Sequence, residues 1–224
     1  MKTFFVIPAF NEEKRLGKVI SGLKKAGYYN LVVIDDCSRD NTAKIAERSG
    51  AIVLKHIINR GQGAALRTGI EYALSKGADF IVTFDADGQH RIEDIPAMLS
   101  PVVKGSADIS VGSRFLSGQK LPLVRKMLLK GSVYVIWLFY GVKMTDAHNG
   151  FRVFSRKAAE LIEIKSDRMA HASEIIEEIY KKGLRVKEVP VVINYSEDVL
   201  KKGHGGVFQA FKVLARMTYQ KFIK

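Results

Sequence analysis

The chain has 224 residues, 47% of them hydrophobic, which excludes a disordered chain and suits one domain with a sizeable core. Lys and Arg total 36 against 23 Asp and Glu, and the formal charge of +13 points to polyanionic partners: nucleic acid, phosphorylated small molecules or anionic lipid headgroups. A single cysteine, Cys37, excludes an intramolecular disulfide, and the opening "MKTFFVIPAFNEE" turns charged too soon for a secretory signal, so a cytoplasmic setting is expected.

In chain order, "TFFVIPAF" predicts a strand, and Leu16, Val19, Ile20 and Leu23 then mark one face of a helix. "NLVVIDD" is the next strand, and "SRDNT" supplies helix-start residues before Ile45 and Ala46. "AIVLKH" predicts a third strand, "GQGAALRTGIEYALSKG" a helix, "DFIVTFDAD" a fourth strand, "IEDIPAMLSPVV" a helix and "ADISVGS" a fifth strand. Alternation of this kind predicts an α/β fold with a mainly parallel central sheet and helices on both faces.

From about Gly118 the rhythm breaks. The run "VYVIWLFYGV", residues 133–142, follows Arg125, Lys126 and Lys130; it is too short to span a bilayer and reads as a buried helix or as one lying in a membrane interface. After it come the turn "TDAHNGFR", a short strand "FRVFS", a helix near "HASEIIEEIYKKG", a strand "RVKEVPVVINY" and a basic amphipathic final helix. No repeat or linker divides the chain, so residues 1–224 are expected to form one domain, with 1–117 and 118–224 as its two halves.

A parallel sheet brings the carboxyl ends of its strands to one edge, where ligands bind. That edge would gather Glu12, Asp35, Asp36, Asp85, Asp87 and Arg114. Crowded carboxylates repel and need a compensating cation, either basic side chains or a metal. Asp85, Asp87 and Gln89 offer oxygen ligands only, the set preferred by Mg²⁺ or Mn²⁺. The five histidines lack zinc-type spacing, and "NRGQGAALRTG" lacks the third glycine of a dinucleotide fingerprint, so Gly61 and Gly63 read as a tight strand-to-helix turn.

The ordered motifs "VIPAFNEE", "VVIDDCSRDNT", "NRGQGAALRTGI", "FDADGQH", "VGSR" and "DAHNGFRVFSR" resemble those of family 2 glycosyltransferases, and most closely the branch that makes polyprenyl-phosphate sugars. The resemblance implies a GT-A fold and an inverting, metal-dependent transfer of a hexose from a nucleotide sugar, of GDP-mannose or UDP-glucose type, to a dolichyl or other polyprenyl phosphate. It implies that Pro8, Phe10, Glu12, Ile34 and Asp36 line the nucleotide pocket, and that Asp85, Ala86, Asp87 and Gln89 hold the donor diphosphate through Mg²⁺ or Mn²⁺. Arg114 would meet phosphate or sugar, Arg152 the acceptor region, and Asp146 and Glu174 match acids of the later motifs.

A lipid phosphate is already largely anionic at neutral pH and needs little help from a base. A hydroxyl acceptor needs one, for which Asp146 or Glu174 is the candidate. A phosphate acceptor needs cations instead, and Arg114, Arg125, Lys126, Lys130 and Arg152 are available. Lys202, in "SEDVLKKGHGG", is a candidate to close over donor phosphates, although this loop departs from the branch's usual Arg and Ser-Lys pattern. The expected partners are thus a nucleotide-sugar donor, a polyprenyl-phosphate acceptor, the cytoplasmic face of a membrane and an anchoring protein, with no nucleic acid. Competing readings are a glycan or glycolipid acceptor, a nucleotidyltransferase, and a noncatalytic basic protein that binds membranes or nucleic acid.

Overall fold

The apolar runs pair into one seven-stranded sheet in a computed structural model that describes residues 1–119 and 141–194, with positions 127, 130, 131, 133, 134, 137 and 138 between them. Its elements are β1 (Thr3–Ala9), α1 (Leu16–Lys25), β2 (Leu31–Asp35), α2 (Thr42–Arg48), β3 (Ile52–Lys55), α3 (Gln62–Ser75), β4 (Phe80–Thr83), α4 (Ile95–Val103), β5 (Ile109–Ser113), β6 (Arg152–Ser155), α5 (Arg156–Leu161), α6 (His171–Lys181) and β7 (Val186–Pro190). Strand order is β3-β2-β1-β4-β6-β5-β7. β6 runs antiparallel to β4 and β5, and every other pairing is parallel.

Two apolar layers cover the sheet. On one face Leu16, Val19, Ile20 and Leu23 of α1 pack with Ile95, Met98 and Val102 of α4, beneath Phe5, Ile7, Val33 and Val82. On the other face Leu66 and Ile70 of α3 and Ile175, Ile176 and Ile179 of α6 cover Val6, Val32, Ile34 and Ile81. Every residue of β2 is buried, which is why "LVVID" reads as a continuous apolar run rather than an alternating one. Burying a large aliphatic side chain contributes about 1.5–3 kcal/mol, so the four core residues of α1 are a main reason that helix holds its place.

β1 lies between β2 and β4, with α1 crossing on one face and α3 on the other. Strand order therefore reverses beside β1. The crevice beyond the carboxyl ends of β1, β2 and β4 is the place where such sheets hold ligands.

Candidate active site

Backbone knots at the strand ends build the first wall. Asn11 adopts φ 55°, a left-handed conformation that asparagine tolerates better than most residues. Its amide N donates to Ser38 Oγ at 2.9 Å, and its side-chain Oδ1 accepts from Arg39 N at 2.9 Å. Glu12 N donates to Thr42 Oγ1 at 2.8 Å. The loops after β1 and β2 are thereby zipped together, which leaves Pro8, Phe10 and Glu12 facing a cleft of about 640 Å³.

Asp36 forms the floor between this wall and the 56–62 turn. Its carboxylate accepts from Arg60 N at 3.0 Å and Gly61 N at 2.6 Å, and lies 2.7 Å from His56 Nδ1. His56 Nε2 is 3.0 Å from Thr68 Oγ1, so one chain of polar contacts ties β2 to α3. Asp36 lines the cleft with its oxygens already engaged by protein donors. Ile34 is placed differently from expectation: it is fully buried beneath α3 and does not line the cleft.

β4 stops at Thr83, sooner than the apolar pattern predicted, and residues 84–87 leave the ladder to enter the cleft. Asp85 is gripped from two sides: its Oδ2 lies 2.9 Å from His90 Nε2, and its Oδ1 accepts Gln62 Nε2 at 3.1 Å. The His90 ring is itself wedged between Phe84 and Phe151, each 5.2 Å away by ring centroid. Burial acts to raise the Asp85 pKa, but His90, with Arg152 and His171, outweighs it and holds the carboxyl below its ordinary value. Gly150 makes room for this arrangement, since a Cβ there would lie 2.6 Å from Asp85 Oδ2.

Asp87 is in the opposite condition. Burial, followed by repulsion from Asp85, pushes its pKa up, and Glu12 adds to the push. Its contacts are local: Gln89 N donates to Oδ1 at 2.9 Å and Gln89 Nε2 to Oδ2 at 2.6 Å. A half-turn of the Gln89 amide would set its Oε1 beside the same carboxylate. Asp87 and Gln89 are then oxygen donors around an under-compensated negative charge, which fits Mg²⁺ or Mn²⁺. Among the described residues no three His, Cys, Asp or Glu side chains form a cage, so an ion held here takes the rest of its shell from water and phosphate.

Behind the cleft lies a buried polar layer. Arg114 and Asp146 form a two-pronged ion pair at 2.7 and 2.9 Å, closed by Arg114 N at 3.1 Å. Burial would raise the Asp146 pKa, yet Arg114 outweighs it and holds the carboxyl low. Asp146, a candidate base were the acceptor a hydroxyl, therefore sits as an anion locked on Arg114. Arg152, expected near the acceptor region, is wholly buried on β6. Its Nη2 donates to Ala147 O at 3.3 Å, while Nε and Nη1 have no hydrogen-bond partner among the described residues. Burial lowers its pKa to about 10.

The far wall is the 165–170 segment, of which Arg168, Met169 and Ala170 line the cleft. Glu174, near the start of α6, accepts Lys165 N at 3.0 Å and Ser166 N at 2.8 Å. It clamps this wall, and like Asp146 it is engaged rather than free to act as a base. Arg125, Lys126 and Lys202 lie outside the described residues. Sequence reasoning missed Asn59, Gln62, Arg168 and Met169 as lining residues. Gln62 had a signal, a polar side chain between two glycines at a helix start; the 165–170 segment had none.

Residues 4–162 match Glycosyl transferase family 2. The chain is 32% identical to a UDP-N-acetylglucosamine–dolichyl-phosphate N-acetylglucosaminyltransferase of Methanococcus voltae, over 99% of this chain and 96% of that protein. It is 30% identical to an undecaprenyl-phosphate mannosyltransferase of Micrococcus luteus, over 92% of this chain and 89% of that one. A solved structure of glucosyl-3-phosphoglycerate synthase from Mycobacterium tuberculosis, in complex with Mn²⁺, uridine diphosphate and glucosyl-3-phosphoglycerate, superposes with a TM-score of 0.70. At 18% identity, over 95% of this chain and 78% of that one, this likeness concerns the fold.

Proposed function

Because the chain belongs to glycosyl transferase family 2 and has its GT-A fold, we propose that it transfers a sugar from a nucleotide sugar to a polyprenyl phosphate, with inversion, at a membrane surface. The observation that carries the choice of acceptor is the engagement of both candidate bases, Asp146 by Arg114 and Glu174 by the 165–166 backbone. A hydroxyl acceptor requires a base near the reacting oxygen. A lipid phosphate is deprotonated at neutral pH and attacks without one. The acceptor lipids in the names of the two relatives support the same choice.

In this reading Phe10 and Met169, both half exposed at the mouth of the cleft, offer apolar surface to the nucleoside. Asp36 acts on the base side by shaping the 59–61 wall. Asp87 and Gln89 hold Mg²⁺ or Mn²⁺, which when bound supplies neutralising charge to the departing diphosphate. Asp85, fixed by His90 and Gln62, sets the angle at which the 85–87 backbone enters the cleft. One displacement at the anomeric carbon forms the bond to the phosphate oxygen, breaks the bond to the diphosphate and inverts the centre.

Attachment to a membrane is supported by Tyr134, Trp137 and Leu138, exposed in the apolar stretch, and by Met127, exposed just before it. The Tyr134 and Trp137 rings lie 5.6 Å apart, a pairing suited to the headgroup boundary. None of the described helices is long and apolar enough to cross a bilayer. The function is tested by offering UDP and GDP sugars with a polyprenyl phosphate and Mn²⁺ or Mg²⁺. Acceptor-dependent release of a nucleoside diphosphate from one donor supports it, and no release across the panel refutes it.

A further inference from the structure

The described lining of the cleft is strongly acidic. Four carboxylates line it, those of Glu12, Asp36, Asp85 and Asp87, whereas Arg168 is the one cation among its described lining residues. A donor diphosphate adds further negative charge. Arg168 is exposed, and its guanidinium makes no hydrogen bond or ion pair to another described residue. Its stem lies across Gly61, where an added Cβ would come within 2.9 Å of Arg168 Cγ.

The segment that carries Arg168 is held in place by the "NRGQG" turn. Ala64 N donates to Asp167 O at 3.0 Å, and the Asp167 carboxylate bridges Arg60 at 3.1 Å and Arg67 at 3.0 Å. A Cβ at Gly63 would collide with the Ser166 carbonyl, and one at Gly61 would lie 2.7 Å from Asp167 O. These glycines therefore serve close approach of two backbones as well as the turn itself. Glu174 fixes the other side of the segment through Lys165 N and Ser166 N.

Resting on the donor reading above, we propose that Arg168 is a donor-binding residue that takes the diphosphate of the nucleotide sugar, and that Asp167 positions it. A guanidinium presents paired donors that match phosphate oxygens, so it can grip the diphosphate from the 165–170 wall. Together with the divalent ion that Asp87 and Gln89 would hold, its guanidinium then balances part of the charge that the four acids and the ligand bring together.

The test is calorimetric binding of UDP, GDP, uridine and guanosine, with and without Mn²⁺, to the wild-type chain and to Arg168→Ala, Arg168→Lys, Asp167→Asn and the Asp167→Asn/Arg168→Ala double variant. Arg168→Ala is expected to weaken binding of the favoured nucleoside diphosphate about tenfold, as loss of a charge-assisted contact would, and to leave binding of its nucleoside unchanged. Arg168→Lys should recover part of the loss. Asp167→Asn should weaken diphosphate binding in the wild-type background and add nothing once Arg168 is gone. Wild-type affinity in Arg168→Ala, or an equal loss for the nucleoside, overturns the role of Arg168. An undiminished Asp167→Asn effect in the double variant overturns the positioning role. If the wild-type chain binds neither diphosphate, the donor reading fails and this inference with it.

Discussion

Asp85 and Asp87 are separated by one residue and have opposite electrostatic fates. His90 and Gln62 satisfy Asp85, while Asp87 is left with a raised pKa and, among the described residues, hydrogen bonds to its carboxylate from Gln89 alone. Asp87→Asn should therefore remove most metal-dependent donor turnover, on the order of a hundredfold or more, whereas Asp85→Asn should act through misplacement of the 85–87 backbone. Steady-state rates across a Mn²⁺ titration check this, and an Asp87→Asn enzyme with wild-type metal dependence would contradict it. Asp146→Asn should chiefly destabilise the fold, because it leaves the Arg114 charge buried with its partner gone; loss of one member of a buried pair costs about 3–5 kcal/mol. Urea unfolding measures that cost, and unchanged stability with abolished turnover would restore Asp146 as a base. The acids at the strand ends were legible in the sequence because strand, turn and charge coincide there. That Asp146 is locked was not legible, since Arg114 stands 32 residues away and only folding brings the two together.

Among the elements, the parallel strands and their helices follow directly from apolar periodicity, as α1 illustrates with its four buried positions. The place of β6 does not. Four residues, "RVFS", carry no sign of direction, and only their pairing with β4 and β5 fixes them as an antiparallel insertion. The same insertion explains why Arg152 is internal: it stands opposite Thr83 and Val111 in mid-sheet. The exposed aromatic pair in the apolar stretch yields a prediction at this scale. Replacing Tyr134 and Trp137 together with serine should weaken cosedimentation with anionic vesicles while leaving nucleotide binding intact, and unaltered cosedimentation would assign membrane contact to another part of the chain.

For the molecule as a whole, acid stability is tied to the polar layer behind the cleft. Burial pushes the pKa of both His148 and His171 down to about 4, against about 6.5 in an unfolded chain. Between those values the unfolded chain binds more protons than the folded one, so stability rises with pH through this window and is lost as pH falls from about 6.5 toward 4. Each histidine contributes a slope of about 1.4 kcal/mol per pH unit there. Urea unfolding at pH 7 and pH 5 should show a drop of about 2–4 kcal/mol, reduced in His148→Gln; an identical slope in that variant would contradict the assignment. The central claim concerns the acceptor, and its most direct test is mass analysis of lipid products after incubation with Mn²⁺, the favoured nucleotide sugar, and either a polyprenyl phosphate or the corresponding polyprenol. The account predicts a glycosylated polyprenyl phosphate and no glycosylated polyprenol. Glycosylation of the alcohol with the phosphate left untouched would contradict it.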